Sequence, residues 1–170
     1  MASPAADPRW LLLRSEVDAA MADLALAIDL ERHELREATA DRKLRLIREK
    51  AFQKLLQDGY SSLEKALTRV LGLFQEPLPR GRSWHPGLIL LATSPGQERD
   101  GLARPPFAPT LFRELETLRR FRHVAVHAYA NFDVAEAAPA VAAAERVVAA
   151  LPDALRGFAR ATGLLPPDAG

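Results

Sequence analysis

The chain contains no cysteine. That excludes disulfide staples, thiolate nucleophiles and cysteine-based metal sites together. No apolar stretch approaches the roughly 20 residues that a membrane-spanning helix needs. No period-two alternation or glycine-bounded valine–isoleucine run announces a sheet, and no repeat recurs at a fixed spacing of about 20–50 residues, which disfavours a solenoid. Nor is there a surplus of charge: 23 basic residues face 22 acidic ones, for a formal net charge of +1. A protein gripping long duplex DNA through its phosphates carries a strongly basic face, so any nucleic-acid contact here is expected to be local. Residues 1–8 lack a basic region followed by an apolar core, so no signal peptide is expected. With no thiols to protect or pair, the expectation is a cytoplasmic protein that makes no membrane contact.

What is present is helix. At 170 residues, 48% hydrophobic and 26% charged, the chain reads as one folded domain, its core from about residue 8 to 163 with flexible ends. Leu13, Val17, Met21, Leu24, Ile28 and Leu35 draw one apolar stripe on a helix from about Pro8 to Arg36, with Asp7 as its N-cap and proline at the first helical position. A second stripe runs through Leu44, Ile47, Phe52, Leu55, Leu56, Tyr60, Leu63, Leu67, Val70 and Phe74, and stops before Pro77 and Pro79. Gly59 falls inside it. Because the stripe keeps its phase on both sides, the helix is expected to continue, with something packed closely against the glycine.

A short helix is expected after Ser83, carrying Leu88 to Leu91, and then a loop from Ser94 to Pro109, where proline and glycine are frequent. The fourth helix runs from about Pro109 to Tyr129, with Leu111, Leu115, Leu118 and Phe121 inward and Arg113, Glu114, Glu116 and Arg119 outward. Asn131 and Asp133 supply a stop and a new cap. A fifth helix carries Val134, Ala138, Val141, Val147, Val148, Leu151, Leu155 and Phe158, with bends at Pro139 and Pro152, and the tail from Leu164 is expected to fray. The fold class is all-α: an antiparallel bundle of about five helices built on a long N-terminal helix pair.

Three clusters carry candidate chemistry. The basic run Arg42-Lys43-Leu44-Arg45-Leu46-Ile47-Arg48-Glu49-Lys50, with Lys54 beyond, reads as a solvated helix face rather than an RNA strip, because Asp41 and Glu49 compensate it and Glu31, Glu34 and Glu37 lie just upstream. Trp84-His85 reads as an aromatic anchor beside a helix entrance, with His85 near the cap. The third cluster is denser: Arg122, His123, His127 and Tyr129 fall within eight residues. Histidine moves protons near neutral pH, and the arginine fork suits phosphate. Together they are a minimal kit for cleaving RNA without metal. The histidine would deprotonate the ribose 2′-hydroxyl while the arginine stabilises charge on the phosphorane-like transition state.

Geometry complicates that kit. At about 100° per residue, Arg122 and His127 lie about 140° apart around an ideal helix. They converge on one phosphate only if the helix deforms, the arginine reaches around, or a second copy completes the site, and this favours a dimer. His123 and His127 also have the i, i+4 spacing of a helical zinc pair, but no third ligand is visible in the sequence, so no metal and no cofactor is expected. Spacing alone leaves a purely structural role for both histidines open.

Arg122-His123, three residues, then His127-Ala128-Tyr129 resembles the arginine–polar–x3–histidine–x–tyrosine motif of the HEPN superfamily, and specifically of HepT-like ribonuclease toxins. The resemblance covers roughly residues 10–160. Its other carriers are the long paired helices, Gly59-Tyr60-Ser61-Ser62-Leu63-Glu64, Leu78-Pro79 followed by Ser83-Trp84-His85, and Arg104-Pro105. It implies a HEPN-like domain acting as a metal-independent endoribonuclease and homodimer, with RNA as substrate and Arg122 and His127 as the catalytic pair. His123 becomes the polar residue that shapes the site. The implied partner is a minimal nucleotidyltransferase antitoxin, able to transfer AMP to Tyr129. Val126 stands where that subgroup would carry a basic or polar residue, which removes one phosphate-facing charge. The alternative is a catalytically inactive helical module that dimerises and only engages the nucleotidyltransferase.

Overall fold

Asp7 starts the first helix by accepting a hydrogen bond from the Arg9 amide at 2.8 Å, and Pro8 takes a position where no amide is needed. This computed structural model describes residues 7–37, 39–98, 103–127 and 134–166, without the side chains of residues 82, 123–127 and 134. Helix α1 spans Pro8–Leu30 and buries Trp10, Leu13, Val17, Leu24 and Ile28, the face its spacing predicts. It does not stay α-helical to Arg36. The backbone widens into a π-helical turn over Glu31–Leu35, where Glu31 is buried and the Arg36 guanidinium grips its carboxylate at 2.9 and 3.1 Å. A buried carboxylate is tolerable only when paired in this way.

Helix α2 spans Arg42–Leu73 and is capped by Asp41, whose side chain accepts from the amides of Lys43 and Leu44 at 2.9 and 3.1 Å. Its pairing with α1 is antiparallel: Arg48 meets Glu34 near one end and Arg69 meets Glu16 near the other. Between them the helix passes Gly59 without a break. A Cβ at that position would stand 2.8 Å from Leu24 Cδ2 and Cγ, so the missing side chain is what lets the two helices approach. Leu44 and Ile47 depart from expectation, for both are exposed. Burial in α2 begins only at Phe52, and all of residues 42–47 face solvent.

A 3₁₀ turn over Gly81–Ser83 leads into α3, Trp84–Thr93. Ser83 makes no side-chain capping bond there. The loop that follows is fastened by Arg104, a buried guanidinium that bonds Glu76 at 2.6 Å and the carbonyls of Leu91 and Ala92 at 2.8 and 3.0 Å. Those carbonyls lie in the last turn of α3, where helix geometry leaves oxygens without amide partners.

Helix α4, Phe112–His127, is entered by a 3₁₀ turn over Pro109–Leu111. Leu111, Leu115 and Leu118 are buried, and Phe121 packs edge-on to Phe52 at 6.5 Å. Glu114, Glu116 and Arg119, assigned outward by the sequence, are half-buried in ion pairs: Arg146 with Glu114 at 2.7 Å and Arg119 with Glu116 at 3.0 Å. The expected continuation to Tyr129, and the stop at Asn131 and Asp133, lie outside the described residues.

Helix α5, Ala138–Ala161, follows a 3₁₀ turn over Val134–Ala137. Pro139 sits in its first turn, and Pro152 stands inside it without ending it. Ala140, Ala143 and Ala144 join Val141, Val147, Leu151, Leu155 and Phe158 in the core, whereas Ala138 is exposed. Gly163, at φ +71°, closes the helix in a Schellman turn whose Leu164 amide donates to the Ala159 carbonyl at 2.8 Å. Leu164 is therefore buried and Leu165 packs beside it, so the core reaches two residues past the expected boundary. All described elements are helical, in an all-α bundle of five helices, and no described helix is long and apolar enough to cross a membrane.

Candidate functional site

Helix α2 carries a charge where its stripe calls for an apolar residue. Tyr60, Leu63, Glu64 and Leu67 share its inner face, and all four are buried. An unpaired carboxylate there would cost several kcal/mol, and two other helices supply partners. From α4, Arg122 Nη1 donates to Glu64 Oε2 at 2.6 Å. From α3, His85 Nδ1 donates to Glu64 Oε1. One buried carboxylate thus ties three helices together and fixes two cation-capable side chains against each other.

Tyr60 lies beneath this junction, fully buried, with the Arg122 guanidinium carbon 5.8 Å from its ring centroid. That is within cation–π reach. Its hydroxyl lies beside the Glu64 carboxylate. Burial, and then the negative charge of Glu64, push its ionisation well above the ordinary phenol range, so the ring stays neutral.

Above the junction opens a cleft of about 620 Å³. Glu64 itself, with Ser61, Lys65, Thr68 and Arg69 of the same helix, lines it together with Glu16, Trp84 and Arg122. Glu16 holds Arg69 at 2.9 Å, while Lys65 has no ion pair among the described residues. The Arg122 side chain is 33% exposed. With one of its five N–H groups directed at Glu64, it keeps donors for a ligand in the cleft. The arrangement suits a phosphate through a fixed guanidinium, a free ammonium and an aromatic face, whereas the Ser61 and Thr68 hydroxyls donate to the carbonyls of Gln57 and Glu64, both at 2.8 Å.

The sequence-predicted residues divide. Arg122 stands at the cleft. His123 and His127 lie in the α4 backbone, which stays α-helical through His127, but their side chains are outside the described set, as is Tyr129 altogether. The basic run of α2 is a solvated face, with Arg45 paired to Glu49 at 3.0 Å and Arg48 to Glu34 at 2.8 Å. Trp84 is the packed anchor the sequence suggests. His85 is not merely a residue near a cap: its ring reaches the Glu64 carboxylate. Sequence reasoning gives Glu64 and Tyr60 no role at the site. The legible signal was a glutamate in the buried phase of an otherwise apolar stripe.

A family model described as HepT-like protein matches residues 51–162, a span that contains Glu64, His85, Arg104 and Arg122. No curated protein and no solved structure matches the chain.

Proposed function

The chain belongs to the HepT-like family, and from that premise we propose that it is a metal-independent endoribonuclease, the toxin of a toxin–antitoxin pair. The observation that carries this reading is Arg122, held by a buried carboxylate at the mouth of a cleft and still offering donors to it. A guanidinium fixed before substrate arrives can stabilise charge that develops on a phosphate without reorganising.

In this reading His127 takes the proton of a ribose 2′-hydroxyl, whose oxygen attacks the adjacent phosphorus. Arg122 donates to the non-bridging oxygens, and His123 shapes the pocket. The bond from phosphorus to the 5′-oxygen breaks, leaving a 2′,3′-cyclic phosphate and a 5′-hydroxyl end. Because α4 remains regular through His127, the positions of Arg122 and His127 stay about 140° apart around its axis. Helix deformation does not bring them together, which supports a site shared between two copies. A minimal nucleotidyltransferase partner would silence the toxin by moving AMP from ATP to the Tyr129 hydroxyl with release of pyrophosphate. The added anion would repel RNA beside His127.

The test is cleavage of total RNA by purified protein in excess chelator, with Tyr129 shown to be unmodified by mass spectrometry. Wild type is expected to cut, and His127→Ala and Arg122→Ala to lose about 10²–10⁴-fold in rate. Cleavage that survives His127→Ala sinks the mechanism. No cleavage by unmodified wild type leaves the helical module that only engages its partner.

A further inference from the structure

We propose that His85 is the general acid of the site, giving its proton to the departing 5′-oxygen. The inference rests on the ribonuclease reading above and assigns the half of the proton transfer that the arginine–histidine motif leaves open. Cleavage by internal attack needs two transfers: one proton leaves the 2′-oxygen and one reaches the 5′-oxygen as its bond to phosphorus breaks. The same atoms and charges appear on both sides, and no water or metal enters the balance.

Four observations converge on His85. Its Nδ1 is tied to Glu64 Oε1 while Arg122 is tied to Oε2 of the same carboxylate. Two groups bound to the two oxygens of one carboxylate lie within about 7 Å of each other, and Trp84, the residue before His85, lines the same cleft as Arg122. The ring is also braced edge-on by Trp84, with centroids 4.7 Å apart at 88°. Its side chain is 47% exposed, and Nε2 has no partner among the described residues. A histidine oriented through Nδ1 by a buried carboxylate, with Nε2 open, is the arrangement that general acid–base histidines use.

The purely structural alternative is that His85 merely neutralises Glu64. Arg122 already supplies that charge at 2.6 Å, and a half-exposed imidazole fills no core space. The charged groups that face His85 are Glu64 from α2 and Arg122 from α4, with Arg119 and its partner Glu116 behind them.

Two oligoribonucleotides of one sequence test the assignment, one ordinary and one with sulfur in place of the scissile 5′-oxygen. A thiolate departs without being protonated, so loss of a general acid is masked on the second substrate. His85→Gln is expected to lose about 10²–10⁴-fold on the oxygen-linked substrate and to recover to within about tenfold of wild type on the sulfur-linked one. Arg122→Ala is expected to be slow on both. Circular dichroism checks the fold of His85→Gln, and His85→Asn provides a second reading. Wild-type-like cleavage by His85→Gln, or an equal loss on both substrates, overturns the proposal while leaving the nuclease standing. A wild type that cleaves neither substrate overturns the nuclease reading and this inference with it.

Discussion

Gly59 sets two effects of similar size against each other. Replacing a mid-helix glycine with alanine ordinarily stabilises by about 1 kcal/mol through backbone entropy. Here the new Cβ would stand 2.8 Å from Leu24 Cδ2 and Cγ, and Leu24 is fully buried. Overpacking of that kind costs about 1–3 kcal/mol, so Gly59→Ala is expected to destabilise on balance. Urea unfolding should show a lower midpoint. A midpoint that rises would mean the helices can part at no cost. The same scale explains what the sequence hid at the site. Glu64 pairs with Arg122, 58 residues away, and with His85, 21 residues away. No local pattern encodes such pairings; only the misplaced charge on the α2 stripe betrayed a partner. Arg122 was legible because its neighbours in the chain are themselves chemically unusual, whereas His85 sits beside a tryptophan that has an ordinary packing role.

Between helices, the Arg104 guanidinium does what a capping sequence does elsewhere. Helix α3 ends without a glycine cap, and its last carbonyls are satisfied from a loop residue that also engages Glu76 beyond the end of α2. Its side chain is 1% exposed, so removing it would strand the Glu76 carboxylate and the Leu91 carbonyl, while the Ala92 carbonyl keeps the Phe107 amide at 2.8 Å. Arg104→Met is expected to cost about 3–5 kcal/mol, the usual penalty for breaking a buried pair from one side. The double variant Arg104→Met/Glu76→Gln should recover part of that loss. Thermal unfolding of wild type, both single variants and the double variant measures it; additive losses would show that the pair is not coupled. Element boundaries were otherwise readable where a local rule decides them. Asp7 with Pro8, and the prolines after Phe74, act as their chemistry dictates, whereas the Asp41 cap shows only in the structure. The π turn at Glu31–Leu35 and the exposed Leu44 and Ile47 were not readable, because periodicity reports which residues could be buried and not whether a neighbouring helix is there to cover them.

At the scale of the whole molecule, the regular course of α4 bears on assembly. If Arg122 from one copy serves His127 from another, two inactive variants can repair each other. Mixing Arg122→Ala with His127→Ala under conditions of subunit exchange puts about half of the dimers in the mixed form. In each mixed dimer one site receives both damaged residues and the other receives neither. The mixture should therefore regain about a quarter of wild-type cleavage although each variant alone has none. If each chain instead builds its own site, every site in the mixture carries one lesion and the activity stays at the sum of the two variants. The double variant Arg122→Ala/His127→Ala, mixed with wild type, gives the complementary reading. A shared site predicts that every mixed dimer is dead, because each of its sites lacks one residue, so activity falls faster than the dilution of wild-type chains. A site contained in one chain predicts a fall in simple proportion.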